Sequence, residues 1–255
     1  MTATDRRGAM VAMSAFALDA FFAVLAPPRC AACLGPLRRL QIFCLGCAST
    51  TRAAPRNRFG AIAAFAYGGA IARALVRLKY ERRPDLARPL GELLWRSVMT
   101  HRDALDAWVV VPVPLHPRRL AERGFNQSAL LARPIACGLR APLWGQALTR
   151  RTDTQPQTKL DREARARNVA DAFVTDTPDR FRGRRVLLID DVRTTGATLE
   201  ACTRVLRYAG AANVGWAVLA QAAERTAVTS PPSEDASIHE GKEQARRSQR
   251  GPRTA

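Results

Sequence analysis

The chain has 255 residues, of which 47% are hydrophobic, and this is enough to bury the core of one main domain with a small appended module. Its formal net charge is +18, a balance typical of proteins that bind polyanions such as nucleic acid. Residues 224–255 carry six basic and five acidic side chains, which leaves +17 on the preceding residues and excludes a basic tail as the source. Biased genome composition explains the charge equally well, because nearly all the basic residues are arginines.

The N-terminal residues 9–26 form the longest apolar stretch, behind Arg6 and Arg7. Asp19 lies inside this stretch and Pro27 follows it, which argues against both a membrane anchor and a cleaved signal peptide. Its large apolar residues recur at the spacing of an amphipathic helix. They are Leu18, Phe21, Phe22 and Leu25. Residues 1–26 are therefore predicted to form a helix that docks on the protein without membrane insertion, and the chain to be cytoplasmic, with a signal peptide as the alternative.

Two CxxC pairs, Cys30 with Cys33 and Cys44 with Cys47, are separated by ten residues. A short hairpin between the pairs brings four thiolates around one ion, which is the pattern of a structural zinc site. Two disulfides or a redox CxxC are the alternatives, but neither a secretion signal nor a strand-helix context accompanies the pairs. Residues 27–55 are therefore predicted to be a zinc-ribbon module in which Zn²⁺ stabilises the fold and performs no catalysis.

Residues 56–223 alternate between strand and helix patterns, which predicts an α/β domain with a mostly parallel sheet flanked by helices. The predicted strands are Ala61–Tyr67, Trp108–Leu115, Val186–Ile189 and Asn213–Ala220. One predicted helix carries Ile71, Leu75 and Leu78. Three further helices are predicted over Leu86–Val98, Gln127–Leu139 and Ala197–Ala209. Cys137 and Cys202 fall in apolar helical settings and are predicted to be core residues. Residues 224–255 contain few large apolar side chains and are predicted to be disordered.

The segment Val186–Thr198 carries the chemistry. Its strand delivers two carboxylates, Asp190 and Asp191, and its loop then opens a helix at Gly196. Loop N–H groups, hydroxyls and the positive helix N-terminus together form a cradle for a phosphate dianion, while the carboxylates suit sugar hydroxyls and Mg²⁺. The pattern indicates a ribose 5-phosphate site, with an ordinary strand-turn-helix as the alternative. The predicted loop residues are Arg193, Thr194, Thr195, Gly196, Ala197 and Thr198.

This segment resembles the phosphoribosyl pyrophosphate signature of type I phosphoribosyltransferases. Further motifs resemble the ComF family, whose members are associated with DNA uptake in competent bacteria. They are Pro27-Pro-Arg-Cys30, Leu78-Lys79-Tyr80, Pro112 to Gln127, and Gln157 with Arg162, Arg165, Asn168 and Phe173. The similarity extends from about Leu18 to Ala220. It implies phosphoribosyl pyrophosphate with Mg²⁺ as the ligand and Asp190 and Asp191 as the catalytic pair.

The resemblance also implies that Pro112 to Gln127 forms the pyrophosphate side of the site. Its candidate contacts are Arg118, Arg119 and Arg123, with Gly124 permitting a tight loop, although each arginine alone is equally well a solvated charge. Residues 148–173 resemble the flexible hood that closes over related active sites. His116 is assigned no catalytic role.

Two functions remain open at this stage. One is an enzyme that displaces pyrophosphate to transfer phosphoribose onto an unidentified nitrogen acceptor. The other is a non-catalytic competence factor that senses phosphoribosyl pyrophosphate or a nucleotide while its basic surface binds single-stranded DNA. Other DNA-uptake proteins are partners that only the resemblance implies.

Overall fold

The computed structural model describes most of the chain between residues 28 and 223. The described ranges are 28–37, 41–55, 61–101, 108–151 and 172–223. The predicted helix over residues 1–26, the predicted disordered tail and most of the predicted hood lie outside these ranges, so the domain boundaries stay predictions. Within the described ranges, no helix combines the length and apolar character needed to cross a membrane.

Six strands and six α-helices make up the described fold. The strands are β1 (Ile62–Ala66), β2 (Trp108–Pro112), β3 (Thr149–Arg150), β4 (Phe173–Val174), β5 (Arg185–Arg193) and β6 (Asn213–Gln221). The helices are α1 (Leu45–Ala48), α2 (Gly69–Tyr80), α3 (Ala87–Met99), α4 (Pro117–Arg123), α5 (Gln127–Leu139) and α6 (Ala197–Tyr208). Short 3₁₀ turns cover Pro84–Leu86 and Pro178–Phe181.

The main sheet has the strand order β1-β6-β5-β2, and all its neighbouring strands are parallel. Strand β2 reads Trp-Val-Val-Val-Pro and is buried at every position, as expected of a strand with both faces covered. The predicted α/β architecture with a parallel sheet is therefore confirmed. Parallel topology gathers the carboxyl ends of the strands at one edge, where β5 presents its two aspartates.

Each face of the sheet has its own apolar core. Leu187 and Ile189 of β5 face one side, where helices α2, α3 and α5 pack against the sheet. Val186 and Leu188 face the other side, which is covered by α6 and by the small antiparallel β3–β4 ribbon. The alternation of these side chains along β5 fixes which way every later side chain of the strand points.

Strand β5 extends further than the sequence predicts. The apolar run ends at Ile189, and the expectation was that Asp190 and Asp191 stop the strand there. Instead β6 continues alongside, pairing Asp190 with Val218 and Arg193 with Gln221. Both carboxylates therefore lie within the sheet and are buried. Lys79 on α2 and Gln127 and Ser128 on α5 offset the free-energy cost of burying these two carboxylates.

The prediction for the two helical cysteines is half right. Cys202 on α6 is fully buried in the core, as expected. Cys137 is exposed, so its assignment to the core is wrong. Helix α5 turns Leu131, Ile135 and Ala136 toward the sheet, and this places the next residue, Cys137, on the outer side of the helix.

The N-terminal cysteine module packs directly on the main domain. Its last segment pairs with β1, through an antiparallel bridge between Ala53 and Phe65. Thr50 contacts the first turn of α2: its hydroxyl accepts a hydrogen bond from Ala70 N at 2.9 Å. Gly69 has φ +50°, and a Cβ there would lie 2.2 Å from the carbonyl oxygen of Thr50. Only glycine permits this approach, so the junction between the module and α2 is tight.

Candidate functional site

The four predicted zinc ligands converge at one place. The sulfur atoms of Cys30, Cys33, Cys44 and Cys47 all lie within 4.8 Å of one another. Cys33 Sγ and Cys44 Sγ are 3.7 Å apart, close to the edge of about 3.8 Å that a tetrahedron with Zn–S bonds of roughly 2.3 Å requires. None of the six cysteines is in a disulfide. The cluster can therefore hold a zinc ion, with all four positions filled by protein.

The surroundings of these sulfurs differ. Burial raises the pKa of the Cys30 thiol, but backbone N–H groups, among them that of Cys44, lower it more strongly, to about 6. Burial raises the pKa of Cys47 to about 12. Arg73 of α2 donates to Cys47 Sγ at 3.7 Å and favours its thiolate. A bound metal cation would likewise favour the thiolate form of Cys47.

Asp190 is buried at the end of β5 and is held by two donors. Its Oδ1 accepts a hydrogen bond from Ser128 Oγ at 2.9 Å and from the backbone N of Asp191 at 2.8 Å. Burial raises the pKa of Asp190, and the adjacent charge of Asp191 raises it further. Asp190 therefore stands in a fixed orientation at the top of the sheet, with its carboxyl facing the cleft described below.

Asp191 is buried and paired with a lysine from another element. The ammonium of Lys79, on the last turn of α2, forms an ion pair with Asp191 Oδ2. Gln127 at the start of α5 donates to Asp191 Oδ1 at 3.4 Å, and Arg123 donates in turn to the side-chain oxygen of Gln127. Side chains of α2 and α5 thus contact the Asp191 carboxylate directly, and α4 is linked to it through Gln127.

The loop after β5 leads into α6 through Gly196. This residue has φ +87°, and a Cβ there would lie 3.2 Å from Arg193 Nε. The predicted loop residues surround a small cleft of about 30 Å³ together with Asp190, Val192 and Leu199, and we call it the loop cleft. Thr194 and Thr195 are exposed to solvent, and Thr198 lies in the first turn of α6.

The segment expected to be the pyrophosphate loop contains a short helix, α4, that the sequence did not predict. His116 caps it, accepting a hydrogen bond from Arg118 N at 3.3 Å, and Gly124 ends it with φ +84°. Arg118 is exposed and pairs with Glu122 on the outer face of the helix. Arg119 and Arg123 point instead toward the carboxylates, and burial lowers the pKa of Arg123 while Asp191 raises it.

Two further clefts adjoin the loop cleft. The carboxylate cleft, about 140 Å³, is lined by both aspartates and by residues of α2, α4, α5 and α6. The basic cleft, about 450 Å³, is lined by Lys79, Tyr80, Arg82, Arg119, Glu122 and Arg123. Asp190 and Thr198 border both the loop cleft and the carboxylate cleft. Four residues of the basic cleft also line the carboxylate cleft, so the three form a continuous series.

Sequence reasoning missed several residues of this site. Ser128 was assigned only to a helix and Gln127 only to the end of the Pro112 to Gln127 motif and the start of that helix, yet these two residues of α5 are side-chain partners of Asp190 and Asp191. Lys79 was noted within a motif but given no role. Arg150 of β3 also lines the carboxylate cleft. Two signals pointed to Lys79: it lies in the Leu78-Lys79-Tyr80 motif, and it is the only lysine before residue 159.

Comparison with known proteins identifies the domain class. The family described as "Phosphoribosyl transferase domain" matches residues 126–238, which include α5, β5, the loop and α6. A solved structure described as the allosteric regulatory enzyme of purine biosynthesis matches with a TM-score of 0.38 and 21% identity, over 56% of this chain and 29% of that one. The sheet, its carboxylates and the family match define a domain of the type I phosphoribosyltransferase fold.

Named relatives narrow the class further. The DNA utilization protein YhgH of Escherichia coli strain K12 is 35% identical over 151 residues, covering 58% of this chain and 66% of that protein. Competence protein F of Haemophilus influenzae is 34% identical over 139 residues, covering 52% and 60% respectively. Competence protein ComFC of Bacillus subtilis is 34% identical over 105 residues, covering 41% and 40%. The chain belongs to the ComF family, and the resemblance stated from the sequence is confirmed.

Proposed function

We propose that this chain binds phosphoribosyl pyrophosphate, or a nucleotide with the same ribose 5-phosphate group, together with Mg²⁺ and acts in the cytoplasm during DNA uptake. The named relatives support the role in DNA handling. The proposed organisation is a zinc-ribbon module over residues 27–55, which carries one structural Zn²⁺, followed by the phosphoribosyltransferase-like domain over residues 56–223.

The order of the three clefts carries the ligand assignment. The loop cleft is bordered by hydroxyls and backbone N–H groups, the carboxylate cleft by Asp190 and Asp191, and the basic cleft by arginines. Phosphoribosyl pyrophosphate has the same order of groups: a phosphate, a ribose with two hydroxyls, and a pyrophosphate. Each group then meets side chains of complementary chemistry along one path.

In this arrangement the loop from Arg193 to Thr198 anchors the 5-phosphate, and the binding energy of this unreactive group orients the ribose. Asp190 and Asp191 accept hydrogen bonds from the ribose hydroxyls and would also hold Mg²⁺, which neutralises charge on the pyrophosphate. Arg119 and Arg123 contact oxygens of the leaving pyrophosphate as charge develops there. No protein nucleophile is required for displacement at the anomeric carbon.

Calorimetry with phosphoribosyl pyrophosphate and Mg²⁺ tests the proposal. Asp191→Asn removes one charged acceptor and is expected to weaken binding by about 1.5–3 kcal/mol, roughly tenfold to a hundredfold. Gly196→Val is expected to abolish binding, because a branched residue at φ +87° is strained and fills the loop cleft. The matched control is Gly145→Val, at a position where a Cβ would meet nothing within 4 Å. It is expected to bind normally.

Absence of both binding heat and thermal stabilisation at millimolar ligand with Mg²⁺ would refute the ligand assignment. Ribose 5-phosphate is expected to compete more weakly, since it shares only the phosphate and hydroxyl contacts. Whether transfer chemistry follows binding is decided by pyrophosphate release in the presence of candidate nitrogen bases. Release that requires Asp190 and Asp191 supports the enzyme, and binding without release supports the sensor.

A further inference from the structure

One cation of the site belongs to no predicted subsite. Lys79 reaches the carboxylate cleft from the last turn of α2, whereas Arg119 and Arg123 reach it from α4. Its side chain is 20% exposed and that of Asp191 is 5% exposed, so the ion pair is largely shielded from water. Among the described residues, Asp191 Oδ2 accepts no hydrogen bond of good geometry, and the ammonium is its partner.

The packing of α2 does not require a lysine at this position. Ile71, Leu75 and Leu78 are fully buried and attach the helix to the sheet. Lys79 follows Leu78 directly, so the packed helix fixes where its flexible stem begins and its four methylenes span the remaining distance. The charge at the end of that stem is therefore available for a role at the site.

We propose that Lys79 competes with a divalent cation for Asp191, so that the carboxylate pair stays free of metal until a ligand enters the cleft. The first half of this statement depends only on Lys79 and Asp191. The second half rests on the proposed function. Lys79 is thus a positioning residue that controls which cation the site accepts.

Competition follows from the occupancy of the carboxylate oxygens. Mg²⁺ and Mn²⁺ bind oxygen ligands, and carboxylates are the strongest of these in proteins. Asp191 Oδ2 faces the ammonium, its Oδ1 accepts from Gln127, and Asp190 Oδ1 already has two donors. A metal ion at Asp191 must displace the ammonium, because two cations repel strongly at this range in a shielded site.

Ligand entry gives Lys79 another partner. The residue lines both the carboxylate cleft and the basic cleft, so its ammonium can turn from Asp191 to an anion in the basic cleft while α2 stays in place. A bound polyphosphate would then release Asp191 and bring its own metal to it. Metal and ligand then bind together, and metal binds only weakly without the ligand.

Binding of Mn²⁺ alone, followed by electron paramagnetic resonance on the zinc-loaded full chain, tests the proposal. The wild type is expected to bind Mn²⁺ weakly, and Lys79→Gln to bind it at least about tenfold more tightly, since a charged partner of Asp191 has been removed. Lys79→Arg keeps the charge and is expected to behave like the wild type. Adding Asp191→Asn to Lys79→Gln is expected to remove the gain.

The matched control is Arg77→Gln. It removes a positive charge from the same helix, but Arg77 contacts the Ala32 carbonyl and Glu81 instead of Asp191. Its Mn²⁺ affinity is expected to stay at the wild-type level. Equal affinities of wild type and Lys79→Gln, or an equal gain in Arg77→Gln, would overturn the proposal. Lys79→Met serves as the second neutral variant if circular dichroism shows that Lys79→Gln is misfolded.

Failure of the proposed function is separable from failure of this inference. A gain in Mn²⁺ affinity without any binding of phosphoribosyl pyrophosphate leaves the competition at Asp191 standing and refutes the ligand. Ligand binding with equal Mn²⁺ affinities refutes the competition alone.

Discussion

Asp190 combines donors that favour its charged form with surroundings that oppose it. Ser128 and the backbone N–H of Asp191 both donate to its Oδ1, and Lys79 contributes positive charge nearby. Burial and the neighbouring carboxylate outweigh these contributions, so the net effect is a raised pKa. The buried Asp190 carboxyl therefore carries a cost in folding stability at neutral pH.

The variant Asp190→Asn separates that cost from function. A raised folded-state pKa means that the native state holds its proton more tightly than the unfolded chain, so stability is lost as pH rises through the folded pKa. Asparagine keeps the Oδ1 acceptor but cannot ionise. We expect it to stabilise the protein at pH 8 by at least about 1 kcal/mol, with the gain vanishing toward pH 4. Urea unfolding at both pH values measures this.

The same variant is expected to bind phosphoribosyl pyrophosphate more weakly than the wild type. A loss of stability that is equal at both pH values would show instead that Asp190 is ionised without cost in the fold. Ser128→Ala is a useful comparison, because it removes one donor and leaves the carboxyl in place.

The two aspartates were predictable because adjacent residues in one motif carry their own signal. Lys79, Gln127 and Ser128 were not, because their roles depend on where α2 and α5 meet β5. A lysine at the end of an amphipathic helix has the same local pattern whether it faces solvent or a buried carboxylate. Cys137 was wrongly predicted to be buried for a related reason. Its neighbours are apolar, but it lies one position after the buried Ala136 and therefore on the exposed side of α5.

At the scale of elements, α2 joins the cysteine module to the carboxylate cleft. Its first turn contacts Thr50, Arg73 donates to Cys47 Sγ, and Arg77 donates to the Ala32 carbonyl at 3.2 Å. Its last turn carries Lys79. A 12-residue helix is therefore held by the module along one side and ends at the carboxylate cleft.

Zinc removal is expected to act through this helix. Elemental analysis should find one zinc per chain, and chelation under reducing conditions should destabilise the protein by several kcal/mol, since structural zinc contributes directly to folding. Hydrogen exchange in α2 should rise before exchange in α6, which packs on the opposite face of the sheet. Cys47→Ser should reproduce the loss, whereas Cys137→Ser, outside the cluster, should not.

Protein free of zinc but with unchanged stability, or disulfides among the four cysteines under reducing conditions, would remove the structural-metal assignment. Equal exchange in α2 and α6 after chelation would show that the module does not support α2 specifically.

Helix α5 was predicted with its observed bounds, and β2 was predicted with its observed start but three residues too long at its end. Helix α4 was missed because its sequence, from Pro117 to Arg123, has no buried residue and therefore no apolar stripe. The end of β5 was missed because a strand that contains two carboxylates forms only when other elements supply their partners. The physical signal for both lies in tertiary contacts.

At the scale of the whole molecule, positive charge is both general and locally concentrated. The residues before 224 carry a net +17, and the basic cleft brings four cations together around one glutamate. Tyr80 borders this cleft and is 73% exposed, with the guanidinium of Arg123 5.7 Å from its ring centre. Cations beside an exposed aromatic ring suit a single strand of nucleic acid, whose bases stack on such rings.

Single-stranded DNA is expected to bind the full chain with little dependence on sequence and with an affinity that falls steeply as salt rises. Each lost phosphate contact lowers the slope of log affinity against log salt by about 0.7, so Arg82→Gln with Arg119→Gln should reduce it by roughly 1.4. Arg88→Gln is the matched control: its side chain is 86% exposed on α3, outside the basic cleft.

Deletion of residues 224–255, which carry only +1, should change the slope of log affinity against log salt little. Binding that survives the double variant but disappears with the deleted residues would place DNA elsewhere, and no binding at low salt would leave the basic charge as a feature of composition.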